Sequence, residues 1–265
     1  MNEIDLLPEH RACLAELATQ KDMYLTLVLK LQELTDSVKP NLEAMYAVKI
    51  GSKQLELLRK QAEVAALKYT MELMIACLNK KQAIDRSAIE EQVDEMLEDY
   101  YAKIYHEAEQ IVQAENRLAG MMTRAESLSM KKLYYEAAKL LHPDVNPNQT
   151  AEQKQLWNVI SQAYKTGDLL TVKNISAVIA GLAKPPEQIV EYDALKKQVE
   201  LFKERNRHLL EQIDAIQLDF PFTFREKLND EAWVRSECML VDRELQQLDE
   251  TAKKYLDYID LITGN

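Results

Sequence analysis

Glycine and proline are scarce in this chain of 265 residues, which contains 5 glycines and 7 prolines. Both residues interrupt regular structure, so their scarcity favours long helices without breaks. The common residues are leucine, alanine, glutamate, lysine and glutamine, all of which are good helix formers. Charged residues make up 29% and aromatic residues only 7%, a balance typical of helical bundles and coiled coils. The composition therefore predicts an all-α fold.

Cysteine is also rare, and its spacing suits neither disulfides nor metal ligation. Cys13, Cys77 and Cys238 are odd in number and far apart, so we expect reduced, packed thiols in a cytosolic protein. None of the four histidines has ligand spacing to a cysteine or to a second histidine. We therefore expect neither a metal site nor a cofactor.

Long apolar runs and an excess of basic residues are missing as well. No apolar run approaches the roughly 20 residues that a bilayer-spanning helix needs. The first residues lack the basic and apolar regions of a secretory signal, so we expect a cytoplasmic protein with no membrane partner. The net charge is −11, whereas proteins that bind nucleic acid are normally basic, which argues against a nucleic-acid partner.

Enzyme motifs are absent too. The sequence has no glycine-rich phosphate loop, no GxSxG elbow and no HExxH metal motif. The many carboxylates fall on predicted long helices, where they are typical of solvated faces. We therefore expect a protein that works through binding and not through catalysis.

Apolar periodicity predicts long helices along most of the chain. The predicted helices outside the central segment cover about residues 6–37, 41–81, 87–120, 187–218 and 223–262. Pro40, Gly120 and the stretch 219–221 are the expected breaks. A capping box formed by Ser87 and Glu90 is expected to open the third helix.

The predicted helix after Pro185 and Pro186 has a regular heptad pattern. One core position is occupied by Tyr192, Val199, Asn206 and Ile213, and the other by Leu195, Phe202, Leu209 and Ile216. Four heptads are a strong coiled-coil signal. Asn206 is the one polar member, and two interpretations are open: it fixes register and partner, or it lies at a bundle rim in contact with water.

The heptad stripe needs a partner, and the stripe of matching length lies on predicted helix 87–120. Its members are Val93, Leu97, Tyr100, Ile104 and Ile111. Pairing of these two stripes would form an antiparallel stalk, with the segment between them at the tip. The expected division is an N-terminal helical region (1–123), a central module of two helices, a loop and an extra helix (124–182), and C-terminal helices that return along the N-terminal region (183–265).

The central module reads as two amphipathic helices joined by a short polar loop. Pro143 disfavours helical geometry at His142, so the first helix should end there and an exposed loop should follow. A capping box formed by Thr150 and Gln153 should open the second helix. Gly167 is a favoured residue just past a helix end. The segment therefore predicts a helical hairpin.

This hairpin resembles the J domain of DnaJ/Hsp40 proteins over about residues 124–168. The family's second helix ends in a pattern like KKxYRxLAxxxHPDxNP, and its third helix reads like FxxIxxAY. The residues in register with the first pattern are Lys131, Lys132, Tyr134, Ala138, His142, Pro143, Asp144, Asn146 and Pro147. Those in register with the second are Trp157, Ile160, Ala163 and Tyr164.

Three features depart from the family pattern. The usual first helix is absent upstream of Lys131, and we expect the end of helix 87–120, with Leu118, Met121 and Met122, to pack in its place. Glu136 and Val145 stand where the family commonly has basic residues. The predicted helix before the loop therefore has only a modest positive charge.

The resemblance implies a co-chaperone that docks on an Hsp70-type (DnaK-like) ATPase and stimulates its ATP hydrolysis without doing chemistry itself. The residues it implies for Hsp70 binding are His142, Pro143, Asp144, Lys131, Lys132, Lys139 and Asn146. Those it implies for the core of the module are Tyr134, Ala138, Leu141, Trp157, Ile160, Ala163 and Tyr164. The remaining helices would bind a client or a scaffold protein. The alternative is a structural or adaptor coiled-coil protein with a degenerate J-like tip.

Overall fold

The computed structural model describes residues 8–180 and 191–264 of the chain. All regular structure in these ranges is helical, which confirms the predicted all-α class. In chain order the α-helices are α1 (Pro8–Glu33), α2 (Lys39–Tyr46), α3 (Ser52–Asn79), α4 (Arg86–Met96), α5 (Glu98–Ala119), α6 (Arg124–Leu141), α7 (Ala151–Thr166), α8 (Leu169–Ala180), α9 (Tyr192–Gln217) and α10 (Glu231–Thr263). Pro185 and Pro186, the predicted start of the heptad helix, lie outside the described residues.

Pro40 does not break the chain's first helical stretch, contrary to the prediction. It lies in the first turn of α2, where a missing N–H group is tolerated. A π-helical segment, Leu34–Val38, precedes it, and the N–H of Lys39 donates to the carbonyl of Leu34, five residues earlier. This wider turn changes the hydrogen-bond register just before the proline, so the helix continues. A second π-helical segment, Ala47–Gly51, separates α2 from α3.

Two predicted helix starts are also wrong, and in both cases an aspartate determines the real start. The carboxylate of Asp85 accepts a hydrogen bond from the N–H of Ala88 at 3.2 Å and caps α4. The carboxylate of Asp230 accepts from two N–H groups in the first turn of α10. A side-chain oxygen just before a helix satisfies N–H groups that lack an intrahelical partner. The predicted ends near Gly120 and at 219–221 are confirmed.

The chain forms two compact units, each built from two separate stretches. The first unit comprises Met1–Pro40 and Met121–Thr223, and the second comprises Asn41–Gly120 and Phe224–Asn265. The sequence-based segments were contiguous, whereas each unit combines an early stretch with a later one. Each unit thus has its own pair of long helices.

In the first unit the long pair is α1 with α9. Glu16 forms an ion pair with Lys203 at 2.7 Å, and further along both helices the Nδ2 of Asn206 donates to the Oε1 of Gln20 at 2.8 Å. Because the contacts follow the same order along both helices, α1 and α9 run parallel. The apolar core between these helices contains Leu17, Tyr24, Leu25, Leu195, Val199 and Phe202. Asn206 is 2% exposed, so the interpretation that it meets water at a rim is wrong.

The two stripes predicted to pair with each other have different partners. The heptad face of α9 packs on α1 in the first unit. Val93 and Leu97 pack in the second unit, in a cluster with Met74 and Ile89. The predicted antiparallel pairing of these stripes is therefore wrong. Periodicity identifies the face of a helix that must be buried, but it does not identify the partner.

In the second unit the long pair is α3 with α10. Lys53 forms an ion pair with Asp242 at 3.0 Å, and Lys60 forms one with Asp249 at 2.6 Å. The two pairs are one heptad apart on both helices, which is the spacing of a parallel coiled coil. Helices α4 and α5 pack on α3 and complete this unit.

Candidate functional site

Helices α6 and α7 pack as an antiparallel pair around the ring of Tyr134. This side chain is 1% exposed and stacks between Tyr164, with ring centroids 4.1 Å apart, and Trp157, at 5.5 Å. His142, just after the end of α6, contacts Trp157 in the first half of α7. Stacked rings have a specific geometry, so this arrangement fixes the distance between the two helices.

The residues expected in the core of this module are all at least partly buried. Leu141, Ile160 and Ala163 are buried with Tyr134, and Trp157 and Tyr164 are partly buried against them. Ala138 is also buried, in the core that α1 and α9 form. Helix α8 contributes Val172 and Ile179 to the same cluster. These two residues were not among those predicted for the core.

Side-chain caps set the ends of both helices. The predicted capping box of Thr150 and Gln153 at the start of α7 is confirmed. A second box, formed by Thr123 and Glu126, opens α6; sequence reasoning missed it, although its T-x-x-E pattern was available. Gly167 ends α7 at φ +77°, a left-handed conformation that favours glycine, as predicted.

The loop between α6 and α7 folds back on the end of α6. The carbonyl of His142 accepts hydrogen bonds from the N–H groups of Val145, at 3.1 Å, and Asn146, at 2.9 Å. The side-chain amide of Asn146 donates to the carbonyl of Lys139 at 2.8 Å. The N–H of Asp144 donates to the Nδ1 of His142 at 3.2 Å. These bonds place Pro143 and Asp144 at the exposed edge of a closed turn.

His142 is buried, contrary to the expectation of a fully exposed loop. It is 7% exposed, and its ring lies between Tyr24 of α1, with centroids 5.9 Å apart, and Trp157, at 5.0 Å. Burial lowers the pKa of His142, while the nearby Asp144 carboxylate acts in the opposite direction. The neutral ring therefore serves as a hydrogen-bond acceptor inside the loop.

Helix α1 binds the loop directly. The hydroxyl of Tyr24 donates to the Oδ2 of Asp144 at 2.6 Å, and the Nζ of Lys21 donates to the carbonyl of Val145 at 3.2 Å. Burial, followed by the hydrogen bond to Asp144, raises the pKa of Tyr24 to about 12. The hydroxyl therefore stays protonated at neutral pH and remains a donor.

Helix α1 also binds the basic residues of α6. The Oδ1 of Asp22 accepts from the hydroxyl of Tyr135 at 2.7 Å and lies 3.3 Å from the Nζ of Lys139. The hydrogen bond from Tyr135 is the main cause that lowers the pKa of Asp22. Glu33 forms an ion pair with Lys131 at 2.6 Å. Lys132 is exposed.

Sequence reasoning missed α1 as part of the site. Met121 and Met122, expected to pack where the family has its first helix, are 49% and 37% exposed. Tyr24 contacts the loop instead, although it lies 120 residues before its partner Asp144. No local pattern links positions so far apart.

Within residues 8–180 and 191–264, no three histidine, cysteine, aspartate or glutamate side chains form a group that could hold a metal ion. No helix in the same ranges is long and apolar enough to cross a membrane. Comparisons of the chain with models of protein families, with curated proteins and with solved structures found no significant match. The functional interpretation therefore depends on the residues of the loop and its surroundings.

Proposed function

We propose that this chain is a cytoplasmic J-domain-type co-chaperone that docks on a DnaK-like Hsp70 ATPase and stimulates its ATP hydrolysis. Its contribution is a protein contact and not a chemical step. The single observation that carries the proposal is the closed turn at 142–144, in register with the family's HPD motif, between two helices with matching flanking residues. The other helices would bind a client or a scaffold protein.

Within this proposal the three residues of the turn have different roles. Asp144 presents a carboxylate whose side chain is 44% exposed, and it can accept charge-assisted hydrogen bonds from a basic partner group. Pro143 stiffens the turn, which lowers the ordering cost of binding. His142 is buried, so it acts as a positioning residue: its Nδ1 holds the backbone N–H of Asp144.

The other residues that the resemblance implies for Hsp70 binding are the lysines of α6 and Asn146. Lys132 is exposed on α6, whereas Lys131 and Lys139 are in ion pairs with α1. Asn146 holds the loop against α6, which assigns it to shaping the turn. The proposed contact with Hsp70 therefore centres on Pro143 and Asp144, with the lysines as its charged surroundings.

One observation favours the alternative, a structural or adaptor protein with a degenerate J-like module. Asp144, Lys131 and Lys139 already have partners on α1. In the alternative these contacts are permanent and the module is a packing element. The two proposals differ in whether the chain activates an Hsp70.

The test is single-turnover ATP hydrolysis by a DnaK-like Hsp70 in the presence of the purified full chain. Asp144→Asn removes the charge and retains the size of the side chain, so stimulation should fall by about tenfold or more. Asp193→Asn, an exposed aspartate in the first turn of α9, is the matched control and should stimulate as the unmodified chain does. Equal stimulation by both variants would rule out docking through the loop.

A further inference from the structure

The contacts of α1 fall on the same groups that the proposed docking uses. Tyr24 occupies the carboxylate of Asp144, Asp22 occupies Lys139, and Glu33 occupies Lys131. These three α1 residues follow the length of α6, from its first half to the loop. An Hsp70 that docks on this face would contact Asp144, Lys131 and Lys139 itself. It could therefore not bind while α1 lies on them.

Helix α1 is attached to its two neighbours in different ways. Its contact with α9 includes an extended apolar core at heptad spacing. Its contact with α6 and the loop is smaller and has two parts. The apolar part consists of Ala138 and Val145, which join the same core. The polar part consists of ion pairs whose members are partly exposed: 32% and 37% for Glu33 with Lys131, and 55% and 40% for Asp22 with Lys139. Ion pairs in contact with water contribute little stability, so the polar part holds α1 on α6 only weakly.

We propose that α1 is an autoinhibitory element that covers the docking face of α6 and the loop, and that it must move off this face before Hsp70 can bind. The inference rests on the proposed function and adds its regulation. While α1 lies on α6, Asp22 and Glu33 pair with lysines that an acidic surface of the Hsp70 would otherwise contact. An Hsp70 surface of that charge would compete directly with α1, because both would contact the same face of α6 and the loop.

An opened variant tests this inference in the full chain. Tyr24→Phe, Asp22→Asn and Glu33→Gln together remove the hydroxyl that binds Asp144 and the two charges that pair with lysines of α6. The Phe ring retains the packing of Tyr24, and the hydrogen bond from Lys21 to the loop is left in place. The matched control is Glu9→Gln with Glu16→Gln, which makes the same change in charge on α1. The pair formed by Glu16 joins α1 to α9 and not to α6.

Three measurements are made on each protein: single-turnover stimulation of the Hsp70, amide hydrogen exchange over residues 142–146, and far-UV helicity as a check of folding. The opened variant should exchange faster over the loop and should reach half-maximal stimulation at a concentration about tenfold lower than the unmodified chain. The control should match the unmodified chain in both measurements. Adding Asp144→Asn to the opened variant should abolish its stimulation.

The possible outcomes separate the inference from the proposed function. If the opened variant stimulates as well as the unmodified chain, or less well, then α1 does not inhibit, and the co-chaperone function stands without it. Weaker stimulation by the opened variant would mean that α1 supports the loop, in the place of the missing family helix. If neither protein stimulates the Hsp70 at any concentration, the proposed function itself is wrong, and the inference falls with it.

Discussion

The two units share a design and differ in how they use it. Each has a parallel pair of long helices, one from the early part of the chain and one from the late part. In the second unit the lysines of α3, Lys53 and Lys60, pair with aspartates of α10. In the first unit one such pair, Glu16 with Lys203, joins α1 to α9, whereas Asp22 and Glu33 of α1 pair with lysines of α6. The acidic residues of α1 therefore also contact a third helix.

The ring contacts of the two units lie in different surroundings. In the first unit they lie at the loop: His142 contacts both Tyr24 and Trp157, and Tyr134 stacks on Trp157. In the second unit the cluster around Met74 is mainly aliphatic, and the ring contact of Phe224 with Trp233 lies apart from it. Aromatic pairs have preferred orientations, whereas methionine adapts to its surroundings. The ring contacts of His142 therefore favour one conformation of the loop.

The chain's two tryptophans allow this comparison to be measured one unit at a time. Trp157 lies in the first unit and Trp233 in the second. A Trp233→Phe background leaves Trp157 as the only tryptophan reporter of the first unit. A Trp157→Phe background leaves Trp233 as the only tryptophan, which then reports on the second unit.

The largest effect is expected from Tyr134→Ala. The ring is buried and stacked on two others, so its removal should lower the free energy of unfolding of the first unit by about 3–5 kcal/mol. Urea denaturation followed by Trp157 fluorescence, in the Trp233→Phe background, measures this loss.

The control is the same substitution at Tyr105 in the second unit, where the side chain is 73% exposed. Tyr105→Ala, followed by Trp233 fluorescence, should change the free energy of unfolding by less than about 0.5 kcal/mol. Similar losses at the two positions would contradict the view that the ring stack holds the first unit together.

Sequence reasoning predicted the parts of the site that local signals encode. The helix end at His142, the capping box at Thr150 and the stop at Gly167 each follow from residues within one turn of the feature. The burial of His142 follows from Tyr24, and no local signal records that contact. The prediction of a partner for the α9 stripe failed for the same reason, because several apolar faces of similar length were available to pair with it.

A smaller effect is expected from the protonation of His142, which should make the free energy of unfolding of the first unit depend on pH. Burial lowers its pKa below the ordinary value of 6.5, so the unfolded chain binds more protons than the folded chain just below that pH. By linkage, the stability of the first unit should fall as pH drops through 6.5, and it should level off only about one pH unit above that value, where the histidine of the unfolded chain has lost its proton. Denaturation at a series of pH values above about 5, where most carboxylates remain charged, measures the slope.

His142→Gln should reduce this slope, even if the substitution also lowers stability at every pH. The matched control is His106→Gln, at an exposed histidine of α5 in the second unit, which should leave the slope unchanged. A slope that persists in His142→Gln would mean that another group is responsible and that the buried histidine does not link stability to pH.

The smallest effect is expected from the ion pair of Lys60 with Asp249 in the second unit. Its atoms are 2.6 Å apart, but the Asp249 side chain is 64% exposed and Lys60 also pairs with Glu63. A double-mutant cycle with Lys60→Gln and Asp249→Asn, followed by Trp233 fluorescence, should give a coupling free energy of about 0.2–1 kcal/mol. The coupling should shrink in high salt, because exposed charges are screened. A larger coupling that resists salt would mean that the ion pairs between α3 and α10 stabilise the second unit substantially. The charged contacts of the second unit would then not be the weak, exposed kind expected here.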